Sequence, residues 1–118
     1  MYNPMAAMKG VKETILDAQT VDETVSTVVV PGSILNHTFY LRSSASITGA
    51  VILETAPTPD YAGAWSPLEA AIDVSLIGPT AAGTLRKAYT GIFGALRARI
   101  STVIAGGTLS VDYLGDGS

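Results

Sequence analysis

The chain has 118 residues, no cysteine and a net charge of −3, which gives it the size of a single domain and excludes a disulfide framework, a thiolate metal site and a broad basic footprint for nucleic acid. Apolar residues make up 47% and charged residues 14%, against roughly 25% charged in an average globular domain. A surface so short of charge reads as that of a subunit covered by neighbours in an assembly.

Residues 1–10 form an arm. Pro4 disfavours regular structure around it, and Met5 and Met8 offer adaptable apolar contacts. This stretch lacks the basic start and apolar middle of a signal peptide, and no apolar run approaches the ~20 residues of a membrane span. Synthesis in the cytoplasm is the expectation, with no membrane partner.

Residues 11–18 suit a strand, and Lys12, Glu13 and Asp17 mark it as an edge. Residues 25–30 are β-branched apart from Ser26 and end at Pro31-Gly32, a turn signal. In residues 37–44, Phe39 and Leu41 share one face while Tyr40 and Arg42 share the other. Residues 50–55 form a third strand, closed by Pro57 and Pro59. The longest irregular stretch, residues 56–67, carries Tyr61 and the single Trp, Trp65, and loops of this length are often functional. Residues 68–71 suit a helical turn, residues 72–77 return to alternation, and residues 84–90 form a further strand.

The chain closes on two alternating runs, 96–101 and 108–113, on either side of Gly106-Gly107. Paired glycines supply the positive φ of a tight reversal, so a hairpin is expected there. About eight strands separated by Gly/Pro turns, with no helical period, predict an all-β, single-domain antiparallel β-sandwich. A jelly roll is the eight-stranded form this sandwich would take. The expected organisation is the N-terminal arm at 1–10 followed by the β-sandwich at 11–118.

Few residues carry chemistry. His37 is the single histidine, and Asn36 and Thr38 beside it give no catalytic setting, so it reads as a strand-edge residue. No second His and no Cys support a metal site. Glu54 and Asp73 have the composition of a glycosidase carboxylate pair, yet acidic residues on the solvent face of strands are commoner. Gly91 to Gly94 lacks the Lys-Ser/Thr of a phosphate loop. A non-enzyme without cofactor or metal is expected. Tyr61 and Trp65 suit a lid over the core, a protein interface or contact with a sugar ring. Arg97 and Arg99 project from one face of their strand, as solvated charges or as ion pairs across a subunit boundary.

Three stretches taken together, Gly49-Ala50-Val51-Ile52-Leu53-Glu54-Thr55, Gly63-Ala64-Trp65-Ser66, and Leu96-Arg97-Ala98-Arg99-Ile100-Ser101 running on to Gly106-Gly107-Thr108-Leu109-Ser110-Val111, resemble small β-sandwich virion proteins of tailed bacteriophages. The resemblance covers residues 49–114. Within that group it favours a head decoration, or cement, protein. It implies a homo-oligomer, most often a trimer, bound to the major capsid protein or other virion proteins on the capsid exterior. It further implies that the arm reaches a neighbour and that Tyr61 and Trp65 lie near a contact surface; with Arg97 and Arg99 from the strand reading, the candidate interface is Met1, Tyr2, Met5, Met8, Tyr61, Trp65, Arg97 and Arg99. A tail, adaptor or fibre component and a carbohydrate-binding module are the alternatives.

Overall fold

The computed structural model describes residues 11–116; the arm at 1–10, with Met1, Tyr2, Met5 and Met8, lies outside them. The elements are β1 (Val11–Gln19), β2 (Asn36–Ser43), β3 (Thr48–Ala56), β4 (Ser66–Pro67), β5 (Ile72–Asp73), β6 (Gly83–Thr90), β7 (Ala95–Ala105) and β8 (Leu109–Asp116), with one 3-10 turn at Val74–Leu76. Sheet A has the order β1-β8-β2-β6, and sheet B joins β7 to β3 and β3 to β4 and β5, all antiparallel. The alternation that marks these strands is physical: in β2 His37, Phe39, Leu41 and Ser43 are buried and the residues between them are not, so one side of the pleat faces the core.

Residues 20–30 run along the free edge of β7. Backbone N–H groups of Glu23, Ser26 and Val29 donate to the carbonyls of Ile100, Ala98 and Leu96, and the carbonyls of Thr20, Thr24 and Val29 accept from Ile104, Ile100 and Leu96. The expected strand at 25–30 is therefore a looser element, touching β7 through the isolated bridges Val25↔Arg99 and Val29↔Leu96. It leaves the ladder where the Thr27 N–H turns to the carbonyl of Ile15 in β1, at 2.9 Å, which ties the edges of the two sheets together.

With that segment counted, the pairing is nested: β1 with β8, residues 20–30 with β7, β2 with β6, and β3 with β4 and β5. This is the pairing of a long hairpin rolled into two sheets, the jelly roll. It corrects the reading of Gly106-Gly107. β7 pairs with β3 in sheet B and β8 with β1 and β2 in sheet A, so the two glycines carry the chain across the sandwich and close no hairpin. Gly106 has φ +94°, and a Cβ there would lie 2.7 Å from the Ser46 carbonyl; the arch passes directly against the 44–47 arch that joins β2 to β3. The helical turn expected at 68–71 is absent. Alternation in 72–77 stops after Asp73, whose side chain accepts the Ser75 N–H and opens the 3-10 turn.

The core lies between the sheets. Phe39, Leu41, Leu109, Val111 and Tyr113 from sheet A meet Val51, Leu53, Leu96, Ala98 and Ile100 from sheet B. Phe39 and Tyr113 pack edge to face with centroids 5.5 Å apart, a favoured aromatic geometry. His37, expected at a strand edge, is buried at the end of this core. Gly91 O can only accept, so the His37 Nε2–H donates to it at 2.8 Å, and Nδ1 accepts the Tyr113 hydroxyl at 2.7 Å. Burial, and secondarily the charge of Glu13, pushes the Tyr113 phenol up to about 12, so it stays a donor.

Gly49 marks the bulge where β3 loses register with β7. Its φ is +126° and a Cβ would come within 2.6 Å of the Val103 carbonyl. Gly49→Ala should cost at least about 2 kcal/mol from backbone strain alone, read as a lowered denaturant midpoint with an unchanged slope. Gly32, at φ +60° with nothing near its absent side chain, should tolerate alanine at about 1 kcal/mol.

Candidate functional site

The two outward faces of the sandwich carry different chemistry. On sheet B, cross-strand pairing places Glu54 opposite Arg97 and Ile52 opposite Arg99, so both arginines stand beside the Glu54 carboxylate. Arg97 Nε donates to Glu54 Oε1 at 2.9 Å and Arg99 Nε to Oε2 at 3.2 Å. Arg99 Nη1 also reaches Glu23 at 3.0 Å, and the Arg97 guanidinium lies over the Trp65 ring at 4.1 Å. Trp65 Nε1 donates to the Tyr61 carbonyl at 3.2 Å. Glu54 is only 4% exposed. It is a desolvated anion held by two cations, where a solvent-facing acid was expected.

This cluster gathers four of the interface candidates. Trp65 roofs the outer side of sheet B instead of the core, its face taken by Arg97; Tyr61 stays exposed. The charges of Arg97 and Arg99 are met within the chain by Glu54 and Glu23. The glycosidase reading of Glu54 and Asp73 fails on distance: Asp73 stands opposite Ala50, and Glu54 lies four residues further along β3, roughly 13 Å of strand, beyond the separation of either glycosidase class. Among the described residues no group of three His, Cys, Asp or Glu side chains is placed to hold a metal, and none of the helical residues forms a helix long and apolar enough to cross a membrane.

Sheet A presents a groove of about 350 Å³ lined by Lys12, Tyr40, Arg42, Thr84, Asp112 and Leu114. Arg42 grips Asp112 with Nε to Oδ2 at 2.7 Å and Nη2 to Oδ1 at 3.1 Å, and Thr14 Oγ1 adds a bond to Oδ1 at 2.7 Å. Desolvation is the largest influence on Asp112 and pushes its carboxyl up, yet the bonds from Arg42 and Thr14 with the charges of Arg42 and Lys12 outweigh it and hold the pKa below the ordinary aspartate value. Sequence reasoning placed Tyr40 and Arg42 on one face but did not single out this groove, whose signal is the outward set of strands paired only through β8.

A third cluster closes one open edge of the sandwich. Glu69, between β4 and β5, accepts from Lys87 at 3.1 Å and from the Tyr89 hydroxyl, both on β6. The Tyr89 bond, then the Lys87 bond and charge, lower the Glu69 pKa against a raising effect of burial. Desolvation and the same carboxylate raise the Tyr89 phenol.

Two outcomes follow. Glu54→Gln should cost about 2–3 kcal/mol, near the low end for breaking a buried pair because Arg97 and Arg99 retain some access to water, and chemical denaturation reads it. The folded-state pKa values of Asp112 and Glu69 lie below their unfolded ones, so their contribution is present above the unfolded values and is lost as pH falls through the folded ones. Denaturant midpoints should drop on acidification below the ordinary carboxylate range, and Arg42→Met should flatten that drop while lowering stability at neutral pH.

No family model and no curated protein matches the chain. Among solved structures it is similar to the protein of Bacillus endospore appendages, described as a novel family of disulfide-linked pili, at 13% identity over 93% of this chain and 90% of that one, with a TM-score of 0.36. Likeness of that degree transfers neither fold nor role.

Proposed function

We propose that the chain is a structural virion protein, a decoration or cement protein that binds the outer capsid surface and stabilises the head through protein–protein contacts. One observation supports a contact role above the others. The edge segment 20–30 exposes Val21, Val25 and Val30 at 59%, 46% and 64%, along a β-type edge flanked on its inner side by β7. Unprotected edges with β-branched residues are ordinarily blunted by charge, proline or cover. Asp22 and Glu23 are the charges on this segment, and Glu23 is drawn back onto Arg99.

The sequence resemblance over residues 49–114 directs that contact to a capsid. The role is then binding alone: each copy buries area between capsid subunits, and binding the assembled state in preference to its parts stabilises that state. Repetition around a symmetric shell multiplies weak contacts. The partners are further copies of the chain, in a trimer, and the major capsid protein.

Light scattering on the purified protein, followed by co-sedimentation with heads stripped of it, tests this reading. A stable oligomer that rebinds the heads and restores their resistance to heat is expected. A monomer that ignores heads would move the assignment to a tail, adaptor or fibre component. A Val21→Lys/Val25→Lys double variant should reduce oligomerisation or head binding at least tenfold, while its own unfolding midpoint stays within about 0.5 kcal/mol of the parent, as for other exposed positions.

A further inference from the structure

The two outward faces differ in how their charges are balanced. On sheet B, Arg97 and Arg99 are offset by Glu54 and Glu23. On sheet A, Arg42 is offset by Asp112, but Lys12 and Arg86 make no ion pair among the described residues. Lys12 lines the groove, and Arg86 stands opposite Tyr40 on the same face, beside it. One row of residues crosses the whole sheet: Thr14 opposite Asp112, Asp112 opposite Tyr40, and Tyr40 opposite Arg86. Lys12 stands in the next row, opposite Leu114. Lys12, Arg42 and Arg86 against Asp112 and Asp116 leave one surplus positive charge on this face of a chain whose net charge is −3.

We propose that this groove binds a short acidic oligosaccharide, with Tyr40 as the platform for a sugar ring and Lys12, Arg42 and Arg86 as donors to its hydroxyl and carboxylate groups. Tyr40 sits half-buried at the centre, in register with Asp112 on one side and Arg86 on the other. The C–H face of a pyranose suits the negative face of an aromatic ring. Arg42 is locked by two bonds to Asp112, and Asp112 is fixed again by Thr14, so these polar groups are set before a ligand arrives and lose little freedom on binding. Lys12 on β1 and Arg86 on β6 are three strand spacings apart, about 14 Å, a span that more than one sugar unit would fill. The volume is that of a small-ligand site.

An acidic peptide meets the same charge but not the same geometry. A peptide that binds a β-protein by strand addition draws its affinity from main-chain bonds to an open sheet edge. The groove lies on the face of a sheet whose two central strands, β8 and β2, are paired on both sides, so no row of backbone donors and acceptors is free there. Leu114 alone supplies an aliphatic side chain to the lining, which leaves a peptide little to anchor in. This proposal is independent of attachment to a capsid: a protein that never binds heads can still carry the groove.

Isothermal titration of the intact protein with trigalacturonate, neutral maltotriose and a hexaglutamate peptide, in low salt, tests it. Trigalacturonate should bind at sub-millimolar concentration, weaken as salt is added, and bind at least tenfold tighter than either competitor. Arg86→Gln, at an exposed position, and Tyr40→Ala should each lose at least fivefold, while Tyr40→Phe, which keeps the ring, should stay within twofold. Unfolding midpoints confirm that each variant is folded, with Arg86→Gln carrying the test if Tyr40→Ala is not. Absence of trigalacturonate binding, equal binding of maltotriose, or tighter binding of hexaglutamate would each overturn the assignment.

Discussion

The Glu54 carboxylate, buried beneath two arginines on the outer side of sheet B, organises more of the molecule than any other polar group. An ion this desolvated is tolerated only when its lone pairs are met by charged donors in good geometry, and Arg97 and Arg99 meet both oxygens. Because those arginines are two residues apart on β7, the bond pair also sets which residue of β7 faces which residue of β3. A slip of one residue would turn both guanidinium groups into the core. Each arginine then holds a further element: Arg97 carries Trp65 and with it the loop between β3 and β4, while Arg99 carries Glu23 and with it the edge segment 20–30. The register of the central pair and the placement of both flanks of sheet B are thus coupled through one side chain.

Sheet A is organised differently. Its inner side holds the aromatic core, where Phe39, Tyr113 and His37 interlock, and its outer side is a shallow polar floor. The chain is poor in charge, so where the few cations stand matters. Three of the described basic side chains are consumed in holding sheet B and the Glu69 edge together, and the remaining three lie over sheet A. The contrast between a self-satisfied face and one with unspent donors separates the structural side of the sandwich from the side equipped to meet something else. The valine-rich edge belongs to neither face and is a third surface, apolar and linear.

Much of the architecture was legible from alternation together with Gly and Pro turn signals. β2, β7 and β8 show the period of two because one side of each strand meets the same core, β3 was marked instead by the prolines that close it, and β1 declared itself an edge by its charges. What alternation cannot carry is the identity of a strand's neighbour. Gly106-Gly107 looks like a hairpin turn because a hairpin and an arch between sheets ask the same thing of the backbone, a sharp reversal with φ above zero; the difference lies in β3, β1 and β2, which are remote in sequence. Glu54 and His37 were misplaced for the same reason. Neither has a local partner: the arginines that make burial of Glu54 tolerable lie more than forty residues on, and Tyr113 lies further still from His37. The groove stayed hidden because Lys12, Tyr40, Thr84 and Asp112 come from four separate strands.

The position of β8 inside sheet A has a consequence for how the molecule comes into being. β1 has β8 as its only neighbour in that sheet, and β2 has β8 on one side, so synthesis of the first hundred residues leaves two strands waiting for a third that emerges after them. A vacancy of that shape is filled equally well by the corresponding strand of another polypeptide, since the complementary edges are identical in every copy. Folding of this fold is therefore a contest between closure within one chain and exchange between chains, decided by how quickly Leu109–Asp116 finds its own slot at the local concentration of its siblings. Topologies dominated by such distant pairings fold slowly, and crowding many copies at one site of production shifts that contest toward exchange.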